Sequence, residues 1–414
     1  MEQIKFKQNT LFVEACSVKE LACKHSTPLF VYSKATIKQN WQQFSLPEYQ
    51  DKHLVCYAVK ANSNISILSL LAKLGAGFDV VSQGELERVI VAGGDPKRTI
   101  FSGVGKTSSE ISYALTEGIF CFNVESEPEL YRINDVARKL NKVAAISIRV
   151  NPDVSVKTHP YISTGLKENK FGVRIEDAKS LYIKAKQLSH ISIKGIDCHI
   201  GSQILEIEPF LDAIDSMLLL VDELNELGIA LSHINVGGGI GVQYDDEIPL
   251  APKDYVQAVA KKTEQHKLNI IFEPGRAIIA NAGILITQVE YLKHNVEKNF
   301  AIVDAAMNDL LRPALYSAWH KIRPVTQDDD LANKVYDIVG PVCETGDFLG
   351  KDRELAVNEG DYLAIFSAGA YSFSMSSNYN SRPKSAEILV DGDTGHLIGK
   401  RQTIAELWQN EVLI

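Results

Sequence analysis

Two observations predict an α/β protein in which a (β/α)8 TIM barrel is joined to a second, β-rich domain. Between residues 55 and 275, short apolar runs alternate with amphipathic stretches, whereas after about residue 280 strand-like runs follow one another with few helical patterns. The chain has 414 residues, 45% of them hydrophobic, which is enough for two domains. Eight strand-and-helix units in about 220 residues suit a closed barrel better than an open, doubly wound sheet.

The predicted elements follow from these runs in chain order. The eight barrel strands are VCYAVK, GFDVVS, TIFSG, IFCFNVES, AAISIRV, IKGIDCHI, HINVGGG and NIIFEPG, separated by helical patterns such as ISILSLLAKLG and SSEISYALTEG. The later strands are ILITQVEYLKH, NFAIVDA, KVYDIVG, DYLAIFSA and KSAEILVDG, and the N-terminal TLFVEA and PLFVYS have the same pattern. We therefore expect residues 36–280 to form the barrel, and residues 1–35 with 281–414 to form the β-rich domain.

Composition narrows the class of partner. The net charge of -9 gives no electrostatic reason to expect nucleic acid or an anionic membrane surface as a partner. No apolar run approaches the roughly 20 residues that cross a bilayer. The six cysteines form no CxxC pair, and the first residues, MEQIKFKQNT, lack the apolar core of a signal peptide. These features predict a cytoplasmic protein that acts on a small molecule.

Polar residues gather at the predicted carboxyl ends of the barrel strands, where barrel enzymes place their active sites. Taken singly, each has a structural explanation: Lys60 as a salt-bridged rim residue, His199 as a satisfied core histidine and Arg149 as an ion-pair partner. Their occurrence together favours a functional site. The set comprises Lys60, Asp79, Ser102, Glu125, Arg149, His199, Gly237 to Gly239, Glu273, Gly275 and Arg276.

Two glycine-containing stretches indicate a phosphate-bearing ligand. VGGGIG lacks the spacing of the dinucleotide-binding GxGxxG motif, and SGVGKTS is one glycine short of a P-loop, so Lys106 to Ser109 more plausibly begin a helix with a hydroxyl cap. Gly237 to Gly239 and the EPGR stretch can instead offer backbone N–H groups to a phosphate, which Ser202 could also reach.

A lysine, a phosphate cradle and a carboxylate at one barrel mouth match the needs of pyridoxal phosphate. Lys60 would bind the cofactor aldehyde, and Glu273 would keep the pyridine nitrogen protonated so that the ring accepts electrons. His199 would stack on the ring. The ten histidines form no HxxxH pair and no carboxylate-rich metal spacing accompanies them, so we expect no metal.

The motifs of nearly the whole chain resemble those of the alanine-racemase-like, fold type III pyridoxal phosphate enzymes and, more narrowly, the diaminopimelate decarboxylase family. The matching stretches run in the family's order from YAVKAN, FDVVSQGEL and RVNPDV through KTHPYISTGLKENKFG, HIGSQ, GGGIG and EPGRAI to LRPALY, CETGDFLG and GAYSFSMSSNYNSRP. The resemblance implies a barrel of the alanine racemase type and decarboxylation of meso-2,6-diaminopimelate to L-lysine and CO2. It also implies a homodimer whose active sites are shared between subunits.

The resemblance also assigns roles to residues. Lys60, Cys343 and His199 would be catalytic, with Cys343 donating a proton or positioning substrate in the neighbouring subunit's site. Cofactor binding would fall to Lys60, Asp79, His199, Ser202, Gly238, Gly239, Glu273, Pro274, Gly275, Arg276 and Tyr371. Substrate binding would fall to Arg276, Arg312, Tyr316, Glu344 and Tyr371.

Substrate chemistry favours one activity among those of the fold. Arginine suits a bidentate grip on the distal carboxylate of a diamino dicarboxylic acid, but it would reject ornithine or arginine, whose distal ends carry only positive charge. Glu273 argues against a racemase, which typically has arginine at the pyridine nitrogen. A non-catalytic binding protein on this fold would be expected to lack Lys60 or Cys343. The stretch KTHPYISTGLKENKFG (157–172), without obvious secondary structure, predicts a lid at the barrel mouth.

Overall fold

The computed structural model describes residues 3–152, 154 and 170–414. The chain divides into two compact units: a barrel unit, Trp41–Gly241 with Ile248–Ala277, and a β-rich unit, Met1–Asn40 with Val242–Glu247 and Ile278–Ile414. The predicted lid at 157–172 lies almost entirely outside the described residues. The domain boundaries expected at residues 36 and 280 stay a prediction.

The described residues form short strands and helices throughout. The strands are β1 (Ile4–Lys7), β2 (Thr10–Val13), β3 (Cys16–Ser17), β4 (Leu29–Ser33), β5 (His53–Ala58), β6 (Gly77–Val80), β7 (Thr99–Phe101), β8 (Cys121–Val124), β9 (Ala144–Asn151), β10 (Val173–Arg174), β11 (Ile191–Asp197), β12 (His233–Asn235), β13 (Asn269–Phe272), β14 (Gly283–His294), β15 (Asn299–Val303), β16 (Ile322–Pro324), β17 (Lys334–Val339), β18 (Phe348–Leu355), β19 (Tyr362–Ile365), β20 (Ala386–Asp391) and β21 (Thr394–Gly399). The α-helices are α1 (Val18–His25), α2 (Lys34–Phe44), α3 (Ile65–Lys73), α4 (Gln83–Val91), α5 (Ser108–Glu117), α6 (Glu127–Lys139), α7 (Ile175–Lys186), α8 (Glu208–Glu226), α9 (Pro252–Thr263), α10 (Arg276–Ile279) and α11 (Arg312–Tyr316).

The barrel unit is a closed parallel barrel, which confirms the predicted fold class. Strands β5, β6, β7, β8, β9, β11, β12 and β13 pair in that order, and β13 pairs with β5 to close the ring. Every one of the eight predicted runs overlaps one of these strands. Apolar side chains from opposite sides of the ring, including Cys56, Ile100, Cys121 and Ile271, pack together in its core.

The first barrel strand ends two residues before the lysine that the sequence pattern placed at its end. Strand β5 stops at Ala58, and Val59–Ala61 form a single 3-10 turn that contains Lys60. The two asparagines that follow this turn bind the backbone through their side chains. The Asn62 side chain accepts from the N–H of Asn64 at 3.0 Å, and the Asn64 side chain caps α3 by accepting from the N–H of Ser66 at 2.9 Å.

The predicted helix start after SGVGKTS is confirmed. Thr107 is the N-cap of α5, and it forms a capping box with Glu110: the Thr107 side chain accepts from the Glu110 N–H, and the Glu110 carboxylate accepts from the Thr107 N–H.

The β-rich unit is built on a mixed sheet in the order β18-β17-β15-β14-β4-β20-β21, with β19 paired to both β14 and β16. The strand pattern of PLFVYS is confirmed as β4, which lies between β14 and β20. Leu29 and Val31, two residues apart on one face of β4, pack with Ile284 and Ile286 of β14 in the core of the unit.

Five strands of this unit were not predicted: β1, β3, β16, β18 and β21. Strands β18 and β21 lie at the two ends of the main sheet path; β18 (FLGKDREL) contains four charged residues and one glycine, and β21 (TGHLIG) contains two glycines. Such edge strands need little apolar alternation, which removes the pattern on which strand prediction depends. In the described part of the chain, no helix has the length and apolar character needed to cross a membrane.

Candidate active site

Lys60 and Asp79 form an ion pair at the mouth of the barrel. The Lys60 Nζ lies 3.3 Å from Asp79 Oδ2, and the strand register places Ala58 of β5 beside Asp79 of β6. The Asp79 side chain is fully buried, whereas 40% of the Lys60 side chain is exposed. The amine is therefore both paired with a carboxylate and accessible to a ligand.

The glycines after β12 lie against neighbouring backbone, where no side chain fits. A Cβ atom on Gly238 would stand 2.2 Å from the carbonyl oxygen of Glu273, and one on Gly239 would stand 2.5 Å from that of Gly201. Gly237 and Gly239 also have φ of +65° and +113°, in the region that favours glycine. The glycine loop is consequently bare backbone, and together with Pro274 and Gly275 it lines a small cavity.

Ser202 and Arg276, both predicted to bind the cofactor, are joined directly. The Arg276 Nη2 donates a hydrogen bond to Ser202 Oγ at 2.9 Å. Arg276 begins the short helix α10, immediately after the EPG turn that follows β13. The arginine thus connects the strand end at β13 to the segment that follows β11.

Glu273 is a buried carboxyl group held by two amides. Its Oε1 accepts hydrogen bonds from the Asn235 side chain at 2.6 Å and from the Asn123 side chain at 3.3 Å. Burial, reinforced by the nearby carboxylates of Asp79 and Asp197, raises its pKa well above the ordinary value. Asn123 and Asn235 were missed in the sequence, although an asparagine inside an otherwise apolar barrel strand was the available signal.

His199 presents an uncharged imidazole. The Gly238 N–H donates to His199 Nδ1 at 3.3 Å, so the proton of the neutral ring is on Nε2. Desolvation, followed by the positive charges of Lys60 and Arg149, lowers the pKa of His199 well below 6.5. This ring follows β11 by two residues, at the same end of the barrel as Lys60.

Three further strand-end residues, Arg149, Glu125 and Asp197, form a buried polar network. Arg149 Nη1 lies 3.0 Å from Glu125 Oε1, and Arg149 Nε lies 4.0 Å from Asp197 Oδ2. Glu125 also accepts from the N–H groups of Gly103 and Gly172. Burial, with Arg149 opposing it, raises the pKa of Asp197 to about 7. The ion-pair interpretation is therefore the one that the geometry supports for Arg149.

The other predicted site residues belong to the β-rich unit. Cys343 is exposed, and its N–H donates to Asn380 Oδ1 at 2.8 Å. The neighbouring Glu344 accepts a hydrogen bond from the Tyr379 hydroxyl at 3.0 Å, so the loop 343–344 is held to the turn 378–381. This turn lies within the motif GAYSFSMSSNYNSRP, although no role was predicted for Tyr379 or Asn380.

Arg312, Tyr316 and Tyr371 occupy other segments of the β-rich unit. Arg312 and Tyr316 are the first and last residues of α11, and the Arg312 side chain is buried. Tyr371 has φ of +54°, a left-handed conformation that is costly for a bulky side chain such as tyrosine.

The barrel residues fit pyridoxal phosphate. Lys60 supplies an accessible amine, the glycine loop with Gly275 supplies a bare backbone surface suited to a phosphate, and Glu273 supplies a buried acid. Residues 34–280, more than half of the chain, match the family described as "Pyridoxal-dependent decarboxylase, pyridoxal binding domain".

Known proteins resemble the chain over its full length. It is 55% identical to a diaminopimelate decarboxylase of Vibrio cholerae (98% of this chain, 97% of the relative) and 53% identical to one of Pseudomonas aeruginosa (100% of both). The crystal structure of Helicobacter pylori diaminopimelate decarboxylase complexed with L-lysine matches with a TM-score of 0.91 and 46% identity, covering 95% of this chain and 98% of that one. The fold and the site thus define a pyridoxal phosphate-dependent decarboxylase of the alanine racemase type. Within that class, the chain belongs to the diaminopimelate decarboxylase family.

Proposed function

We propose that this chain decarboxylates meso-2,6-diaminopimelate to L-lysine and CO2, the last step of lysine biosynthesis, with pyridoxal phosphate as cofactor. The observation that carries the proposal is the accessible Lys60 amine, paired with the buried Asp79, at the mouth of a barrel that also holds the glycine loop and Glu273. The names of the relatives agree with this activity.

Each barrel residue has a task in this proposal. Lys60 would hold the cofactor through its amine, and Asp79 keeps that amine in place. The backbone of Gly238, Gly239, Pro274 and Gly275, with Ser202 and Arg276, binds the phosphate. His199 would offer its neutral ring to the face of the cofactor, and Glu273 would bind the pyridine nitrogen. When bound, pyridoxal phosphate accepts the electron pair that CO2 leaves behind.

The residues of the β-rich unit recognise the rest of the substrate. Arg312, Tyr316 and Tyr371 of this unit, with Arg276 of the barrel unit, bind the distal carboxylate, and Glu344 binds the distal ammonium group. A buried arginine disfavours ornithine and arginine, which offer it no carboxylate. Cys343 Sγ donates a proton to the carbon that has lost CO2, or positions the substrate for that transfer.

Assembly and location complete the proposal. We propose a homodimer in which Cys343 and Glu344 serve the active site of the partner subunit; the exposure of Cys343 is consistent with such a position. We also propose a cytoplasmic location, because all six cysteines are free thiols, as is usual in reducing compartments.

The test is release of L-lysine and CO2 from meso-diaminopimelate by purified protein, with and without added pyridoxal phosphate. Ornithine, arginine and alanine serve as parallel substrates. We expect cofactor-dependent turnover of meso-diaminopimelate alone. Turnover of ornithine or arginine would contradict the roles of Arg312 and Glu344, and racemisation of alanine would contradict that of Glu273. Cofactor binding without turnover of any substrate would favour a binding protein.

A further inference from the structure

Arg312 has a buried histidine partner that no role above uses. The Arg312 Nη1 lies 2.8 Å from His320 Nε2, eight residues further along the chain. The His320 ring is completely buried, and Arg312 is only 7% exposed. A cationic group so far removed from water is costly unless its neighbours are arranged to hold it.

The protonation of His320 follows from its two partners. A guanidinium N–H can only donate, so His320 Nε2 is the acceptor and carries no proton. His320 Nδ1 lies 2.8 Å from the carbonyl oxygen of Phe366, which can only accept, so the proton is on Nδ1. The histidine is therefore neutral in one defined tautomer.

The carbonyl that selects this tautomer is part of the sheet. The Phe366 N–H donates to the Lys321 carbonyl at 2.8 Å, continuing the antiparallel pairing in which Ile322 of β16 faces Ile365 of β19. The position of Phe366 is thus set by the strand pairing. Because the imidazole binds both the Phe366 carbonyl and Arg312, it fixes the arginine relative to the sheet.

A second contact orients the plane of the guanidinium group. The Arg312 Cζ lies 4.6 Å from the centroid of the Tyr244 ring, within the range of a cation–π contact. The same ring meets His320 edge to face, with centroids 5.2 Å apart and planes at 79°. One hydrogen bond and one ring face together restrict both the position and the rotation of the Arg312 fork.

We propose that His320, assisted by Tyr244, is a positioning residue that orients Arg312 for bidentate binding of the distal carboxylate of the substrate. Bidentate recognition depends on the orientation of the planar fork, which a mobile arginine would lose. This inference rests on the proposed function, in which Arg312 is the distal-carboxylate ligand. It adds His320 as a determinant of specificity that does not itself contact the reacting atoms.

Two substitutions at one position separate the contact with Arg312 from the contact with the sheet. His320→Asn can still donate to the Phe366 carbonyl but is too short to accept from Arg312. His320→Gln places an amide oxygen near the position of Nε2 and restores the acceptor. Each variant is compared with the native holoenzyme for L-lysine binding by calorimetry, for KM and kcat with meso-diaminopimelate, and for cofactor content by visible absorption.

For His320→Asn we expect the dissociation constant of L-lysine and the KM for meso-diaminopimelate to rise by about tenfold or more. This is the size expected for a lost hydrogen bond to a charged group. The kcat and the cofactor content should change much less, and His320→Gln should recover most of the loss. Native-like L-lysine affinity in His320→Asn would overturn the inference. A parallel fall in kcat, cofactor content and affinity would also overturn it, because it would indicate a purely structural role.

Tyr244→Leu provides a second route if His320→Asn does not fold. It removes the ring face while keeping an apolar side chain, and we expect weaker L-lysine binding with unchanged cofactor content. Unchanged L-lysine binding in that variant would count against the inference. Failure of the native enzyme to turn over meso-diaminopimelate would refute the proposed function itself. If the native enzyme turns over this substrate and the variants bind L-lysine normally, only the inference about His320 is refuted.

Discussion

The carboxyl group of Glu273 accepts a hydrogen bond of 2.6 Å from the side chain of Asn235, one strand away in the closed barrel. Asn123 approaches the same oxygen, Oε1, from β8 at 3.3 Å. Two amide donors therefore fix the orientation of a buried acid. A cofactor nitrogen that binds this acid would meet it in a preset position, without cost for ordering it.

Glu273→Gln should lower kcat by about two orders of magnitude or more, because a neutral amide cannot supply the charge that keeps a bound pyridine protonated. Cofactor content should remain close to native, since the side chain keeps its size. Steady-state kinetics and visible absorption measure the two quantities. The exposed Glu87→Gln serves as control, and a native kcat in Glu273→Gln would refute the assignment of Glu273 to the pyridine nitrogen.

Lys60→Ala should abolish covalent attachment of the cofactor and reduce turnover below detection, because the proposed function makes this amine the attachment point. The measurement is the visible absorption of protein incubated with pyridoxal phosphate, supplemented by borohydride reduction and mass determination. Lys97→Ala, at an exposed lysine, should behave like the native protein. Retention of a reducible adduct in Lys60→Ala would show that another lysine carries the cofactor.

Gly238→Ala should weaken cofactor binding by at least tenfold, because the added Cβ would stand 2.2 Å from the Glu273 carbonyl oxygen and displace the glycine loop. The dissociation constant of pyridoxal phosphate can be obtained by fluorescence titration. Gly105→Ala is the matched control, since nothing lies within 4 Å of its Cβ position. Equal cofactor affinity in the two variants would argue against the loop as the phosphate cradle.

Lys106→Met should lower the free energy of unfolding by about 3–5 kcal/mol, because it leaves the buried Glu129 carboxylate without its cationic partner. The Lys106 Nζ lies 2.7 Å from Glu129 Oε1, and both side chains are nearly inaccessible. Urea denaturation measures the change. Lys179→Met breaks the exposed pair with Glu223 and should cost less than about 1 kcal/mol. Similar losses in the two variants would contradict this ranking.

His233 should make stability fall on acidification. Burial lowers its pKa from 6.5 to about 4. Between those values the unfolded chain binds the proton and the folded chain does not, so the stability present above pH 6.5 is lost progressively towards pH 4, by up to about 3 kcal/mol. Urea denaturation across this range should show a weaker pH dependence in His233→Gln than in the native protein or the exposed His396→Gln. An unchanged dependence would exclude His233 as a cause.

The barrel could be predicted because a short local sequence pattern marks each of its strands. Each of the eight strands is a short apolar run followed by polar or glycine residues, and parallel barrels require that pattern in every unit. The same reasoning identified Lys60, Asp79, His199 and Glu273, since residues at carboxyl ends of parallel strands meet at one end of a barrel. The edge strands β18 and β21 were not predicted, because a strand that pairs on one side only needs little apolar alternation in its sequence.

The sequence by itself determined the element types, the fold class and the residue types available at the strand ends, because periodicity and turn chemistry act over a few neighbouring residues. Tertiary structure alone decided which of them became partners: the Lys60–Asp79 pair, the amides on Glu273, and the link from Arg312 through His320 to Phe366. Those contacts join residues up to about 150 positions apart. A hydrogen bond weakens when its donor and acceptor are displaced from the favourable separation by about a few tenths of an ångström. Only the closed ring and the paired strands bring such groups within that range.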